Sequence, residues 1–104
     1  NETDVENVLV LEPLVDKWKA FGFEVFEIDG HNMKEVLDTL DAVKKVKGKP
    51  SCIIAYTKMG KGVSFMEDNY KWHGVPPNDE QGKIALSELT ATKYGDFVDY
   101  YNEK

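Results

Sequence analysis

His31 and His73 are the only two histidines in this sequence, and imidazole is the side chain that most readily exchanges protons near neutral pH. His73 closes the stretch Tyr70-Lys71-Trp72-His73-Gly74, beyond the end of a predicted second strand, where ligands bind in parallel α/β folds. A site residue and an exposed loop histidine both fit that position. His31 follows Asp29-Gly30 in a strand-to-helix turn, where a polar residue hydrogen-bonds backbone and sets the turn. Met59-Gly60-Lys61-Gly62 has two glycines through which backbone amides can approach a phosphate. A lone Gly-x-Gly is neither a dinucleotide fingerprint nor a P-loop, and by itself it reads first as a turn. Glu67-Asp68-Asn69 offers oxygen donors to a cation, against the simpler reading of a solvated turn. No Cys or His pair has metal-ligand spacing, so no metal site is expected, and no hydrolase triad is visible.

The elements that must position these residues read as one α/β unit over residues 1–104. Thr3-Asp4-Val5-Glu6 has the form of a capping box and opens a short helix. Pro13, at a first helical position, restarts a helix carrying Leu14, Val15, Trp18 and Phe21 until Gly22 stops it, with Trp18 in the core. Phe23 to Ile28 is strand-like, and Asn32 with Glu35 repeats the capping-box pattern. The stripe Val36, Leu37, Leu40, Val43 and Val46 then predicts a helix closed by Gly48 and Pro50. Ser51 to Thr57 is an almost continuous apolar run, the pattern of a strand covered on both faces in a parallel sheet, with Cys52 a buried small hydrophobe. Strand, helix and strand make a βαβ unit. Lys58 to Pro77 is a long structured loop in which Trp72 packs, and such loops often carry function. Asn78 to Gln81 is a third capping box, for a helix marked by Ile84, Ala85, Leu86 and Leu89. Phe97, Val98, Tyr100 and Tyr101 suggest a last turn or two of helix.

The 104 residues hold 13 Lys+Arg against 19 Asp+Glu, a net charge of −6, with 41% apolar and 12% aromatic residues. That composition fits a folded domain, and a chain of this length buries about 65% of its unfolded surface. It leaves little room for a private active site. The acidic balance argues against a nucleic-acid or anionic-membrane partner, because both require a basic face. Lys44, Lys45, Lys47 and Lys49 read as a solvated helix end. A single cysteine and no apolar run of membrane length point to a reducing, cytoplasmic setting.

Several phrases, taken in order, resemble transketolase. They are Glu12-Pro13-Leu14-Val15-Asp16-Lys17-Trp18-Lys19-Ala20-Phe21-Gly22-Phe23, Ile28-Asp29-Gly30-His31, Lys47-Gly48-Lys49-Pro50, Gly60-Lys61-Gly62-Val63-Ser64-Phe65-Met66-Glu67 and Trp72-His73-Gly74-Val75-Pro76-Pro77-Asn78. The resemblance runs from about Leu11 to Leu89 and looks closest to the N-terminal subunit of transketolases split over two chains. Deoxyxylulose phosphate synthase shares the Asp-Gly-His phrase and the glycine loop, but the Trp-His-Gly-x-x-Pro-Asn ending favours transketolase.

The resemblance implies a partial thiamine diphosphate-binding fold, a short parallel sheet flanked by helices, and an activity that moves a two-carbon ketol unit between sugar phosphates, as in the pentose phosphate pathway. His73 matches the family's active-site histidine, near the cofactor diphosphate and the donor substrate. Met59 and Gly60 fall where the family contacts the cofactor, Met59 by van der Waals contact. The family's Gly-Asp-Gly motif for magnesium and diphosphate does not occur in these 104 residues. The chain, which starts at Asn1 rather than Met, is therefore expected to be a C-terminal piece of the N-terminal subunit. On that expectation thiamine diphosphate and magnesium belong to the parent enzyme, and the piece alone binds neither and is inactive. The C-terminal transketolase subunit or domain would be its partner. Exposed sheet edges would drive self-association. The alternative is a non-catalytic binding or assembly module derived from the same fold.

Overall fold

The computed structural model describes residues 9–90. The Thr3 capping box and the tail beyond Gly95 lie outside the described residues. The chain divides into two compact units, one ending at Thr57 and the other beginning at Lys58.

The first unit runs α1 (Leu14–Ala20), β1 (Glu24–Asp29), α2 (Met33–Val43) and β2 (Ser51–Tyr56). β1 and β2 pair in parallel, from Glu24 opposite Ser51 to Asp29 opposite Tyr56, and both helices contact β1. This is the expected α/β arrangement of a short parallel sheet with helices.

Pro13 serves as the N-cap of α1 with extended backbone, one position earlier than expected, and Glu12 Oε2 accepts the Leu14 amide at 3.0 Å. The helix ends in a Schellman motif. The Phe23 amide donates to the Trp18 carbonyl at 3.3 Å and the Gly22 amide to the Lys19 carbonyl at 2.9 Å, with Gly22 at φ 90°. Trp18 and Phe23 then meet edge to face, ring centroids 4.9 Å apart, which is the apolar contact that accompanies this motif. Phe21, expected on the packed stripe, is 81% exposed because it is the C-cap and turns outward.

α2 begins with Asn32, whose side chain accepts the Glu35 amide at 3.2 Å. Asn32's own amide donates to the Asp29 carbonyl at 3.1 Å, so it is satisfied by the turn rather than by Glu35. The regular helix ends at Val43, earlier than Gly48. Lys45 and Val46 donate to Ala42 and Val43, three residues back, which tightens the last turn and stops the α-helix. Leu37 and Leu40 of the expected core stripe are 56% and 47% exposed.

β2 departs from its expected double coverage. Ser51 to Ile54, including Cys52, are half-buried, and Ala55 and Tyr56 are exposed. β1 is its one partner strand among the described residues. The Tyr56 hydroxyl donates to Glu27 Oε1 across the strands at 2.7 Å, and this bond to a carboxylate pushes the phenol's pKa up.

The second unit contains a long loop, a 3-10 turn over Tyr70–Trp72, and α3 (Asp79–Glu88). α3 opens with a complete capping box. Asn78 Oδ1 accepts the Gln81 amide at 2.8 Å, and Gln81 Oε1 accepts the Asn78 amide at 3.0 Å. Gly82 and Ala85 form its buried face, whereas Ile84 and Leu89 of the expected stripe are exposed. Val63 is the other buried apolar side chain described in this unit, and Ile28 is the one described in the first.

The two caps should differ in strength. Asn32→Ala should cost α2 about 1 kcal/mol, and Asn78→Ala combined with Gln81→Ala should cost α3 about 1–2 kcal/mol, because both halves of the box are then lost, whereas Asn78→Ala alone keeps the backbone amide that Gln81 accepts. Amide-exchange protection in each first turn measures this, and equal losses would contradict the difference between the caps.

Candidate functional site

The site lies within the second unit, on the loop that joins β2 to α3. Its frame is a closed segment from Met59 to Asp68, whose ends meet where the Asp68 amide donates to the Met59 carbonyl at 2.9 Å. Asp68 makes that reversal at φ 52°, a left-handed conformation that Asp tolerates better than most residues. Gly60 sits at φ 67°, and a Cβ there would lie 2.5 Å from the Met66 carbonyl oxygen. A backbone contact cannot be relieved by a rotamer change, so the sequence needs glycine at this point.

Inside the segment three backbone donors of the glycine loop are already used. Lys61 donates to the Lys58 carbonyl at 3.3 Å, Val63 to the Gly60 carbonyl at 3.2 Å, and Gly62 to Glu67 Oε1 at 3.1 Å. Of the two readings of Gly60-Lys61-Gly62, the geometry therefore supports the turn, since these three amides are committed to the protein itself.

Glu67-Asp68-Asn69 is likewise structural. Glu67 carries the Gly62 amide, and Lys58 Nζ stands 3.7 Å from Glu67 and 3.8 Å from Asp68. The Gly62 hydrogen bond, opposed by partial burial and aided by Lys58 and Lys61, holds the Glu67 carboxyl below its ordinary pKa. Ser64 donates from both amide and hydroxyl, each at 2.6 Å, to the two oxygens of Glu88. Those bonds lower the Glu88 pKa and tie the segment to the last turn of α3. Among the described residues no three His, Cys, Asp or Glu side chains converge as a metal site requires.

After the closed segment, Asn69 caps the 3-10 turn by accepting the Lys71 amide at 3.1 Å. The Trp72 indole donates to the Phe65 carbonyl at 2.9 Å and stacks at a tilt on the Phe65 ring, centroids 5.4 Å apart. His73 follows as the C-cap of the turn, its amide donating to the Tyr70 carbonyl at 3.0 Å. A cavity of about 380 Å³ opens beside it, lined by Met59, Gly60, Met66, Asn69, Trp72, His73 and Gly74.

The geometry thus brings His73 together with Met59 and Gly60, the three residues singled out from the sequence. It adds Met66 and Asn69. Met66 stood in the glycine-loop phrase and Asn69 in the acidic stretch, but neither was placed at this wall, because Met66 reaches the cavity through the chain reversal at Gly60 and Asp68. Trp72 packs as expected and also forms part of the wall. His31 belongs to the first unit, where the Asp29 carboxylate accepts the His31 amide at 2.9 Å, so the Asp29 side chain sets that turn. The cavity offers two thioethers, a bare backbone stretch and one imidazole, which suits contact with an organic ring plus proton exchange at one edge.

A family model described as transketolase, thiamine diphosphate binding domain, matches residues 2–98. The chain is 46% identical over 79 residues to the 6-deoxy-6-sulfo-D-fructose transketolase subunit of Clostridium sp. (strain MSTE9), covering 76% of this chain and 29% of that protein. It is 40% identical over 84 residues to an apulose-4-phosphate transketolase subunit of Actinobacillus succinogenes, covering 81% of this chain and 30% of that protein. It is also 51% identical over 78 residues to the 1-deoxy-D-xylulose-5-phosphate synthase of Aquifex aeolicus, covering 72% of this chain and 12% of that protein. The chain therefore spans less than a third of the length of each of these relatives. Among the described residues no helix is long and apolar enough to cross a membrane.

The lowered carboxyl pKa of Glu67 makes the segment acid-sensitive. A carboxyl with a depressed folded pKa contributes stability that is full above its unfolded value and is lost as pH falls through the folded one. Protection of the Gly62 amide, corrected for intrinsic exchange, should fall as the pH is taken below the ordinary carboxylate range. Glu67→Gln should flatten that dependence, and an unchanged acid response in the variant would contradict it.

Proposed function

The chain belongs to the transketolase family, and from its thiamine diphosphate binding domain we propose that it forms part of the active-site wall of a two-subunit transketolase. The observation that carries this reading is the cavity that joins His73 to Met59 and Gly60. When bound, thiamine diphosphate supplies an electron sink that lets the bond between two sugar carbons break and re-form. Met59 would hold the cofactor by van der Waals contact and Gly60 through its bare backbone. The His73 imidazole holds or moves a proton at an oxygen of the donor sugar and stabilises charge developing there.

The substrates are sugar phosphates or close analogues. Relatives named for a sulfo-sugar and for apulose-4-phosphate favour this wider class over the pentose phosphate pathway alone. The reaction partner is a second chain bearing the rest of the site, a reading supported by relatives that are themselves named as subunits. A lone thiol at Cys52 is compatible with a cytoplasmic setting. The Lys61, Gly62 and Val63 amides are committed within this chain, which favours a reading in which magnesium and most of the diphosphate take their ligands from other parts of the enzyme. On this reading the 104-residue chain alone binds neither and is inactive. Exposed Phe21, Leu37 and Leu40 favour its self-association.

In the assembled two-chain enzyme, His73→Ala should lower ketol transfer about 10²- to 10⁴-fold with the complex intact. Full turnover in that variant would overturn the catalytic assignment and leave the chain a non-catalytic assembly module. For the isolated chain, calorimetry with thiamine diphosphate and magnesium should show no binding heat, and light scattering should show more than one protomer. Saturable binding or a monodisperse monomer at high concentration would each refute its own half of that expectation.

A further inference from the structure

We infer that Trp72 is a positioning residue for His73, clasping the Phe65 carbonyl through its indole N–H so that the imidazole is held at the mouth of the cavity. The inference rests on the proposed role of His73 and extends it to a residue that does not itself carry the chemistry. Indole has one donor and no acceptor, and it places that donor on the Phe65 carbonyl at 2.9 Å. The Asn69 amide group also donates to this oxygen, at 3.4 Å. The Phe65 ring also packs against the indole at a tilt of 56°, so Trp72 is tied to Phe65 by a hydrogen bond and by a ring contact. Phe65 is itself fixed by turns that hinge on the buried Val63, whose carbonyl accepts the Met66 amide at 2.9 Å and the Glu67 amide at 3.1 Å. Support passes from buried Val63 to Phe65, from Phe65 to Trp72, and through one peptide bond to His73. His73 is exposed and its backbone leaves the 3-10 turn in an extended conformation, so the turn before it sets where the imidazole sits. A site side chain works only within about 0.5 Å of its productive position, and a support shell of this kind supplies that precision.

The test uses the assembled two-chain enzyme and replaces the N–H while keeping an aromatic body, as Trp72→Phe and as the benzothienyl isostere of tryptophan at position 72. Each should lower kcat about tenfold with KM for both sugar phosphates within twofold. In a His73→Ala background the same replacements should cost nothing further, because a residue that acts through His73 has nothing left to position. In the isolated chain, the His73 amide should lose exchange protection several-fold on Trp72→Phe. The isostere keeps the volume of the indole, so a folding defect in Trp72→Phe does not remove the test. Wild-type kcat with the isostere, or an equal loss in the presence and absence of His73, would overturn the inference while the role of His73 stands. Full turnover by His73→Ala alone would overturn the His73 assignment and this inference together.

Discussion

Gly60 is where the second unit allows no substitute. The backbone passes so close to the Met66 carbonyl that a Cβ would sit 2.5 Å from its oxygen, and φ is in the left-handed region as well. The close approach lets the Asp68 amide reach the Met59 carbonyl and close the segment. Once closed, the segment places Glu67 under the Gly62 amide, Val63 in the interior and the Phe65 carbonyl where the Trp72 indole can find it. The cavity wall from Met59 to Met66 and the turn that carries His73 follow from one unhindered backbone crossing. The strain is small, because glycine occupies this conformation almost freely and Asp68 is among the residues that tolerate it.

The first unit shows what a parallel pair lacks without further layers. Parallel sheets are ordinarily covered on both faces, yet β2 is only half-buried and Leu37 and Leu40 of α2 remain largely in water. Burying a leucine fully is worth about 1.5–3 kcal/mol, so each exposed position forgoes much of that gain. Local devices compensate in part. The Schellman turn at Gly22 with its Trp18–Phe23 contact, the Asn32 cap and the Tyr56–Glu27 bond fix the ends and register of elements whose faces are thinly covered.

Short-range chemistry was legible in the sequence. Asn78 and Gln81 announced a capping box that forms in full, Gly22 announced a helix stop, and the strand–helix–strand pattern announced a parallel βαβ pair. The departures arise where a distant partner decides. Asn32 loses half of its box because the Asp29 carbonyl takes its amide, and α2 stops at Val43 because the chain tightens into i to i−3 bonds before reaching Gly48. Cys52, Leu37, Ile84 and Leu89 read as core from hydrophobicity alone, but burial depends on what stands opposite. At the site, His73, Met59 and Gly60 could be chosen from motif resemblance. Met66 and Asn69 could not, since only the reversal of the chain brings them to the same wall. The commitment of the glycine-loop amides was equally hidden, because it depends on where Glu67 points.

The proposed role divides the chemical work unevenly. A positioned imidazole acting as acid or base is worth about 10²- to 10⁴-fold, whereas enzymes typically accelerate their reactions by about 10⁶-fold or more. The cavity supplies one imidazole, two thioethers and no committed cation, so most of the remaining barrier reduction must come from the cofactor and from groups on other parts of the enzyme. Orientation is then the larger contribution open to this chain. A rigid apolar wall and a clamped turn can hold reacting atoms in register, and well-oriented intramolecular reactions gain effective concentrations of about 10⁵ M or more. That magnitude explains why so much hydrogen bonding is devoted to a loop whose functional output is the placement of a single ring.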